Sequence, residues 1–227
     1  MTSAPKFAPI APVLRRERIV EELRRAILAG HIPPGAQIIE SRIALEFGVS
    51  RTLLREALRE LIESGLVRNR PYAGNFVAEI DADLLSDVYE VRRIMEAQAY
   101  RRVWPIRDVF YRDEMQRRFD AMIEAVNSGN LHEKIRAESH FHGLVYEQCG
   151  NHLMPRFWQQ MTQKLQLAFG ICQIAEVSKM DFRKNHARFL ELAIGDDLEA
   201  MLEELDAHLQ RGLATIQTAL QRADSRK

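Results

Sequence analysis

Residues 46–67 read EFGVSRTLLREALRELIESGLV, and the reading of this stretch decides the fold. Gly48 permits a tight turn, and Ser50 has the short side-chain acceptor favoured at a helix N-cap. Leu54, Leu58 and Leu61 then recur at helical spacing as one buried face. The pattern predicts a short turn followed by a helix that ends at Gly65. Two more helices precede it. LRRERIVEELRRAILAG, from Leu14, places Ile19, Leu23, Ala26 and Ile27 on one face and stops at Gly30, and after the turn HIPPG a further helix fits ESRIALEFG. Behind it, LVRN and NFVAEI flank RPYAG, a turn containing Pro and Gly between alternating runs, which is the signature of a hairpin. Helix, turn, helix, turn, helix and hairpin make the order of a winged helix-turn-helix, whose third helix enters the DNA major groove.

Beyond Asp81 the periodicity is helical throughout. Breaks fall at Pro105, NSGN (127–130), CGN (149–151), Val177–Ser178 and GDD (195–197). They delimit six helices, near 83–103, 108–127, 131–148, 152–175, 179–194 and 197–222. The expected fold is mainly α: a disordered arm over 1–13, a winged helix-turn-helix DNA-binding domain over 14–80, and an all-helical bundle over 81–227.

The 227 residues are 46% hydrophobic and 28% charged, with no apolar run near the roughly 20 residues of a membrane span. No secretory signal is evident, and Cys149 and Cys172 lack a CxxC spacing. A soluble cytoplasmic protein with reduced thiols, not associated with a membrane, is therefore expected. Net charge is zero, yet of 32 basic and 32 acidic residues 12 and 9 fall in residues 1–80, leaving a basic front and an acidic back. A polyanion is expected to meet the front.

The first turns of the third helix carry Ser50, Arg51, Thr52 and Arg55, where hydroxyls and helix N–H groups suit phosphate and arginine suits phosphate or guanine. In the wing, Gly74 keeps the backbone close to DNA, with Arg68 and Arg70 as flanking phosphate contacts. In the bundle, AESHFHGLVYE (137–147) sets Glu138 and His142 one helical turn apart, with His140 about 200° round the helix from Glu138. His186 and His208 each sit among apolar neighbours of an amphipathic helix. Three such histidines with a carboxylate would suit zinc, nickel, manganese or iron if they converged; otherwise they are structural core residues.

Residues 15–80, with IPPGAQIIE, FGVSRTLLREALRELIESGLV and RPYAGNFV, closely resemble the N-terminal domain of the GntR family of bacterial transcription regulators. Leu53 stands where such members usually have proline. Ser41 stands where some place a DNA-contacting arginine, and Arg42 beside it is included among the expected DNA contacts. Residues 83–222 resemble the FCD ligand-binding domain of the FadR-type subfamily, and LLSDVYEVRRIME with the six-helix count points to its VanR-like branch. That resemblance implies a divalent metal held by Glu138, His142, His186 and His208, the last two 22 residues apart, with Glu138 where Asp is more usual and Glu204 as an alternative acid. Zinc is expected ahead of nickel or manganese.

The resemblance further implies a small carboxylate effector clamped by Arg92 and Arg93, a homodimer on palindromic operator DNA, and repression relieved by effector. The alternatives are a metal-free regulator of an apolar or acyl ligand and a metal-dependent enzyme. Catalytic signatures such as HExxH, or a nucleophilic Ser or Cys in a recognisable motif, are lacking, so no enzyme is expected.

Overall fold

The computed structural model describes residues 12–79, 81–173 and 179–224; residues 1–11 of the expected arm, the expected break at Val177–Ser178 and the Cys172 side chain lie outside what is described. The chain begins with α1 (Pro12–Leu28), β1 (Gln37–Ile38), α2 (Glu40–Phe47) and α3 (Arg51–Glu63), followed by β2 (Val67–Arg70) and β3 (Gly74–Val77). Leu54, Ala57, Leu58 and Leu61 of α3 pack with Ile19, Leu23 and Ile27 of α1 in one apolar core. This is the winged helix-turn-helix. Its sheet has three strands in the order β1-β3-β2, all antiparallel, where the hairpin alone was expected. Two residues are too short to show an alternation, so β1 left no periodic signal.

The remaining elements are α4 (Ala82–Val103), a short 3-10 turn (Trp104–Ile106), α5 (Val109–Ser128), α6 (Leu131–Gln148), α7 (Met154–Gln173), α8 (Lys179–Ile194) and α9 (Leu198–Asp224). Side-chain caps start four of them: Asp81, Asp108, Asn130 and Asp197 accept from the amides of Leu84, Tyr111, Glu133 and Ala200. The six helices share a second apolar core, with Tyr100, Phe141, Tyr146 and Phe189 fully buried at its centre and the free thiol of Cys149 inside it. Among the described residues no helix is long and apolar enough to cross a membrane.

Contacts of α1 with α6 and α7 join the two halves. Leu167 of α7 is 2% exposed and belongs to the core of the winged helix rather than to the bundle's own. His132 Nε2 of α6 also lies 3.2 Å from Glu21 Oε1 of α1.

Candidate functional site

Two surfaces bring functional side chains together. On the first, Gly48 ends α2 in the left-handed conformation (φ 62°), a backbone state glycine adopts without steric cost, and its amide turns back to the carbonyls of Ala44 and Leu45. Ser50 then caps α3 by accepting from Leu53 N at 3.2 Å. A proline at 53 would have no N–H for this bond, so leucine here strengthens the cap.

Arg51, Thr52 and Arg55 stand exposed on the first turns of α3, with Arg55 Nε 2.7 Å from Glu40 Oε2. Arg42 lies exposed on α2 and pairs with Glu46 at 2.8 Å. In the wing, Tyr72 (φ 61°) and Gly74 (φ 96°) both take left-handed backbone conformations. Arg70 lies over the Phe76 ring and pairs with Glu79 at 3.3 Å. Arg68 is exposed on β2.

The second surface is a cavity of about 200 Å³ between α4, α6, α8 and α9, closed on one side by Phe169 of α7. His142, His186 and His208 come from three different helices, and each offers a nitrogen within 4.8 Å of the others. The rings are held by packing: Phe189 meets His142 and His208 at 5.0 and 4.8 Å between centroids, and Phe182 meets His186 at 4.1 Å. His186 Nδ1 donates to the Phe182 carbonyl at 2.8 Å, which fixes the tautomer and leaves Nε2 as the lone-pair nitrogen.

That nitrogen, both ring nitrogens of His142 and Nδ1 of His208 are buried without a hydrogen bond. Such stranded polar atoms are costly, and a bound cation is one chemistry that would satisfy them. Glu138 lines the cavity with its Oε1 3.7 Å from His186 Nε2. Burial alone would raise its carboxyl, but a hydrogen bond and charge from His186 when that ring is protonated, and then the Lys134 charge, outweigh this and hold it below the ordinary carboxylate range.

Behind the triad lies a carboxylate that the sequence reading missed. Glu96 is wholly buried, accepts from Arg92 Nε at 2.8 Å and from the Tyr146 hydroxyl at 3.4 Å, and lies 3.3 Å from His142 Nδ1. Its signal was present as the i,i+4 spacing from Arg92 in VRRIME. Arg92 lines the cavity, its Nη2 buried without a hydrogen bond and its guanidinium 5.3 Å from the Trp158 ring. Arg93 does not line it; it lies exposed on the flank and pairs with Asp206. Lys134 and Arg211 add further cations to the wall. Glu204, the alternative acid, pairs with Arg211, and His140 faces a separate groove between α1, α6 and α7.

Burial, and then the Arg92 charge, push the His142 pKa down to about 4, while burial and the two neighbouring histidines push His208 well below its ordinary value. Both rings are thus neutral at pH 7. In the unfolded chain His142 takes up a proton near pH 6.5, so the unfolded state binds more protons between pH 6.5 and about 4, and stability falls with pH across that window. Glu96 and Glu138, held below their ordinary range, lose stabilisation in the same direction at lower pH. Metal-free protein is expected to lose on the order of 3 kcal/mol from His142 alone between pH 7 and 4. Urea midpoints of chelator-treated protein across that range check this, and a flat profile would refute it.

Comparison with known proteins follows the same division. The family described as bacterial regulatory proteins, gntR family, matches residues 15–77, and the FCD domain matches residues 87–211. A probable D-xylose utilization operon transcriptional repressor of Paenarthrobacter nicotinovorans is 28% identical over 195 residues, covering 85% of this chain and 80% of that protein. The HTH-type transcriptional repressor RspR of Escherichia coli K12 is 27% identical over 145 residues, 64% of this chain and 63% of its own. A crystal structure of a transcriptional regulator GntR from Rhodococcus sp. RHA1 superposes with a TM-score of 0.74 at 26% identity, covering 91% of this chain and 99% of that one.

Proposed function

The chain belongs to the GntR family of bacterial transcription regulators, with an FCD domain behind its winged helix, and from that premise we propose a repressor whose operator affinity is set by a metal-assisted carboxylate effector. The observation that carries the effector half is the cavity: His186 and His208 line it beside Arg92, whose Nη2 is stranded, and His142 completes a cluster of three buried histidines from three helices. His142, His186 and His208 would hold a divalent transition metal, zinc ahead of nickel or manganese, with Glu138 as the further donor. When bound, that metal offers open positions for a carboxylate oxygen.

Arg92, whose Nε is already committed to Glu96, presents its remaining N–H groups to the ligand's other charge, and Lys134 and Arg211 bias the wall toward anions. The volume of about 200 Å³ suits a small metabolite rather than an acyl chain. Arg93 sits too far out on the flank to join the clamp in this arrangement.

DNA binding is assigned to Ser50, Arg51, Thr52 and Arg55 on α3, Arg42 on α2, and Arg70 and Gly74 in the wing. The exposure of each of them supports the assignment. A homodimer in the cytoplasm would place two such heads on a palindrome. Large apolar side chains left outward, Val91 and Ile94 on α4, Leu153 just before α7 and Phe157 on it, are available to such an interface.

Coupling has a physical route in α7. Phe169 lines the cavity, and Leu167, two residues earlier, is seated in the winged-helix core. A shift of α7 on effector binding therefore moves the reading head relative to the bundle and changes the population that fits DNA.

Titration of the protein onto operator DNA at several salt concentrations tests the function. Affinity should fall steeply with salt, and Arg51→Ala and Arg55→Ala should each weaken operator binding about tenfold at fixed salt. Binding that is independent of salt and of both arginines would overturn the reading.

A further inference from the structure

The recognition helix and the wing meet on one carboxylate. Glu40, the first residue of α2, accepts from Arg55 Nε of α3 on Oε2 at 2.7 Å and from Asn75 Nδ2 of β3 on Oε1 at 3.1 Å. Asn75 in turn accepts from Asn69 Nδ2 of β2 at 2.9 Å, so the chain of bonds runs from Arg55 to the outer strand of the wing. Backbone register puts Glu40 there: β1 pairs with β3 through Ile38 and Asn75, and α2 begins two residues after Ile38. Asn75 is buried at 6% exposure, and the Glu40 side chain is 24% exposed, whereas that of Arg55 is 62% exposed. The network is shielded at its middle, at Asn75, and open at the arginine.

We infer that Glu40 is a specificity-determining positioning residue: it fixes the plane in which Arg55 meets a base edge and ties that plane to the wing. Arginine is a rigid planar fork, and holding it at Nε leaves its outer edge for an acceptor in a set direction. A guanine edge presents two acceptors at a fixed angle, while a phosphate accepts from many directions, so fixing the plane favours base reading over backbone contact. Rotamer freedom is lost before DNA arrives rather than on binding. An ordinary exposed ion pair would leave DNA selection unchanged. A negative charge beside DNA also weakens binding to every sequence alike, so the charge of Glu40 alters affinity uniformly while positioning alters discrimination.

The inference rests on DNA binding by α3, and one experiment separates the two. An operator is selected in vitro from random duplexes with wild-type protein, and the base pair whose preference is lost in Arg55→Ala is then replaced. Affinities of wild type, Glu40→Ala and Glu40→Gln are measured on both duplexes at one salt concentration, with melting temperature as a check on folding. Glu40→Ala should bind the selected operator about tenfold more weakly and the substituted duplex as well as or better than wild type, so discrimination falls at least tenfold. Glu40→Gln, able to accept from only one of the two partners, should fall between.

Equal changes on both duplexes in the two variants would overturn the inference while leaving DNA binding intact. If Glu40→Ala melts early, Glu40→Gln alone decides by the same ratio. Failure of wild type to select any duplex would overturn both.

Discussion

Protein purified without added metal or chelator is expected to carry close to one equivalent of transition metal, and His186→Ala to carry almost none. His186 is the ring whose tautomer the fold fixes, with Nδ1 bound to the Phe182 carbonyl and Nε2 facing both the cavity and Glu138. Removing it leaves two nitrogens. Supporting residues around a metal site already account for 10- to 100-fold in affinity, so loss of a direct donor should exceed about 100-fold. Folding should survive, because the substitution also removes a buried nitrogen that lacks a partner in the apo protein.

His140→Ala is the matched control, since that ring faces the groove beside α1, and it should retain full occupancy. Glu138→Gln should give an intermediate loss if the carboxylate ligates and little loss if it only orients His186. Elemental analysis reads all four proteins. Wild type that stays metal-free after incubation with zinc, nickel or manganese and dialysis would sink the metal reading and redirect the search to apolar effectors.

How far such residues can be read from sequence depends on what the spacing encodes. Leu54, Leu58 and Leu61 place α3 because a helix repeats its buried face every three or four residues, and Ser50 and Gly48 bound it by local chemistry alone. The wing's third strand was missed for the opposite reason. Gln37–Ile38 is held by register with Phe76 and Asn75, a contact nearly 40 residues away that no local pattern carries. Leu167 shows a subtler limit: periodicity marks it as inward-facing on α7, but not which of the two cores it enters.

The cavity divides in the same way. Each of His142, His186 and His208 is recognisable as inward on its own helix, yet their convergence was an implication of family resemblance and not of spacing. Arg92 and Arg93, adjacent in sequence, are separated by about 100° round α4, so the two side chains leave the helix in different directions. The structure puts Arg92 in the wall and Arg93 on the flank. Glu96 escaped because an acidic residue four from an arginine is ordinarily a solvated helix pair. Only tertiary packing makes this one fully buried.

That burial makes Arg92→Ala the most damaging single change expected in the bundle. Arg92 and Glu96 are both almost wholly excluded from water at 2.8 Å, and removing the cation leaves a carboxylate with only the Tyr146 hydroxyl and the neutral edge of His142. Breaking a buried pair in this way costs about 3–5 kcal/mol, because the remaining charge is uncompensated. Arg92→Ala combined with Glu96→Gln removes that charge and should recover much of the loss, although a cavity remains beside Trp158.

Carboxylate recognition should behave differently. Calorimetric titration of metal-loaded protein with malate, succinate and lactate should show binding by wild type of at least one of them, and none by the double variant, since the stranded Nη2 that faces the ligand is gone in both variants. Stability that recovers while carboxylate binding stays lost would separate the arginine's part in the ligand site from its part in the core. Undiminished carboxylate binding by the double variant would remove Arg92 from the effector site and leave Lys134 and Arg211 as the cations to test next.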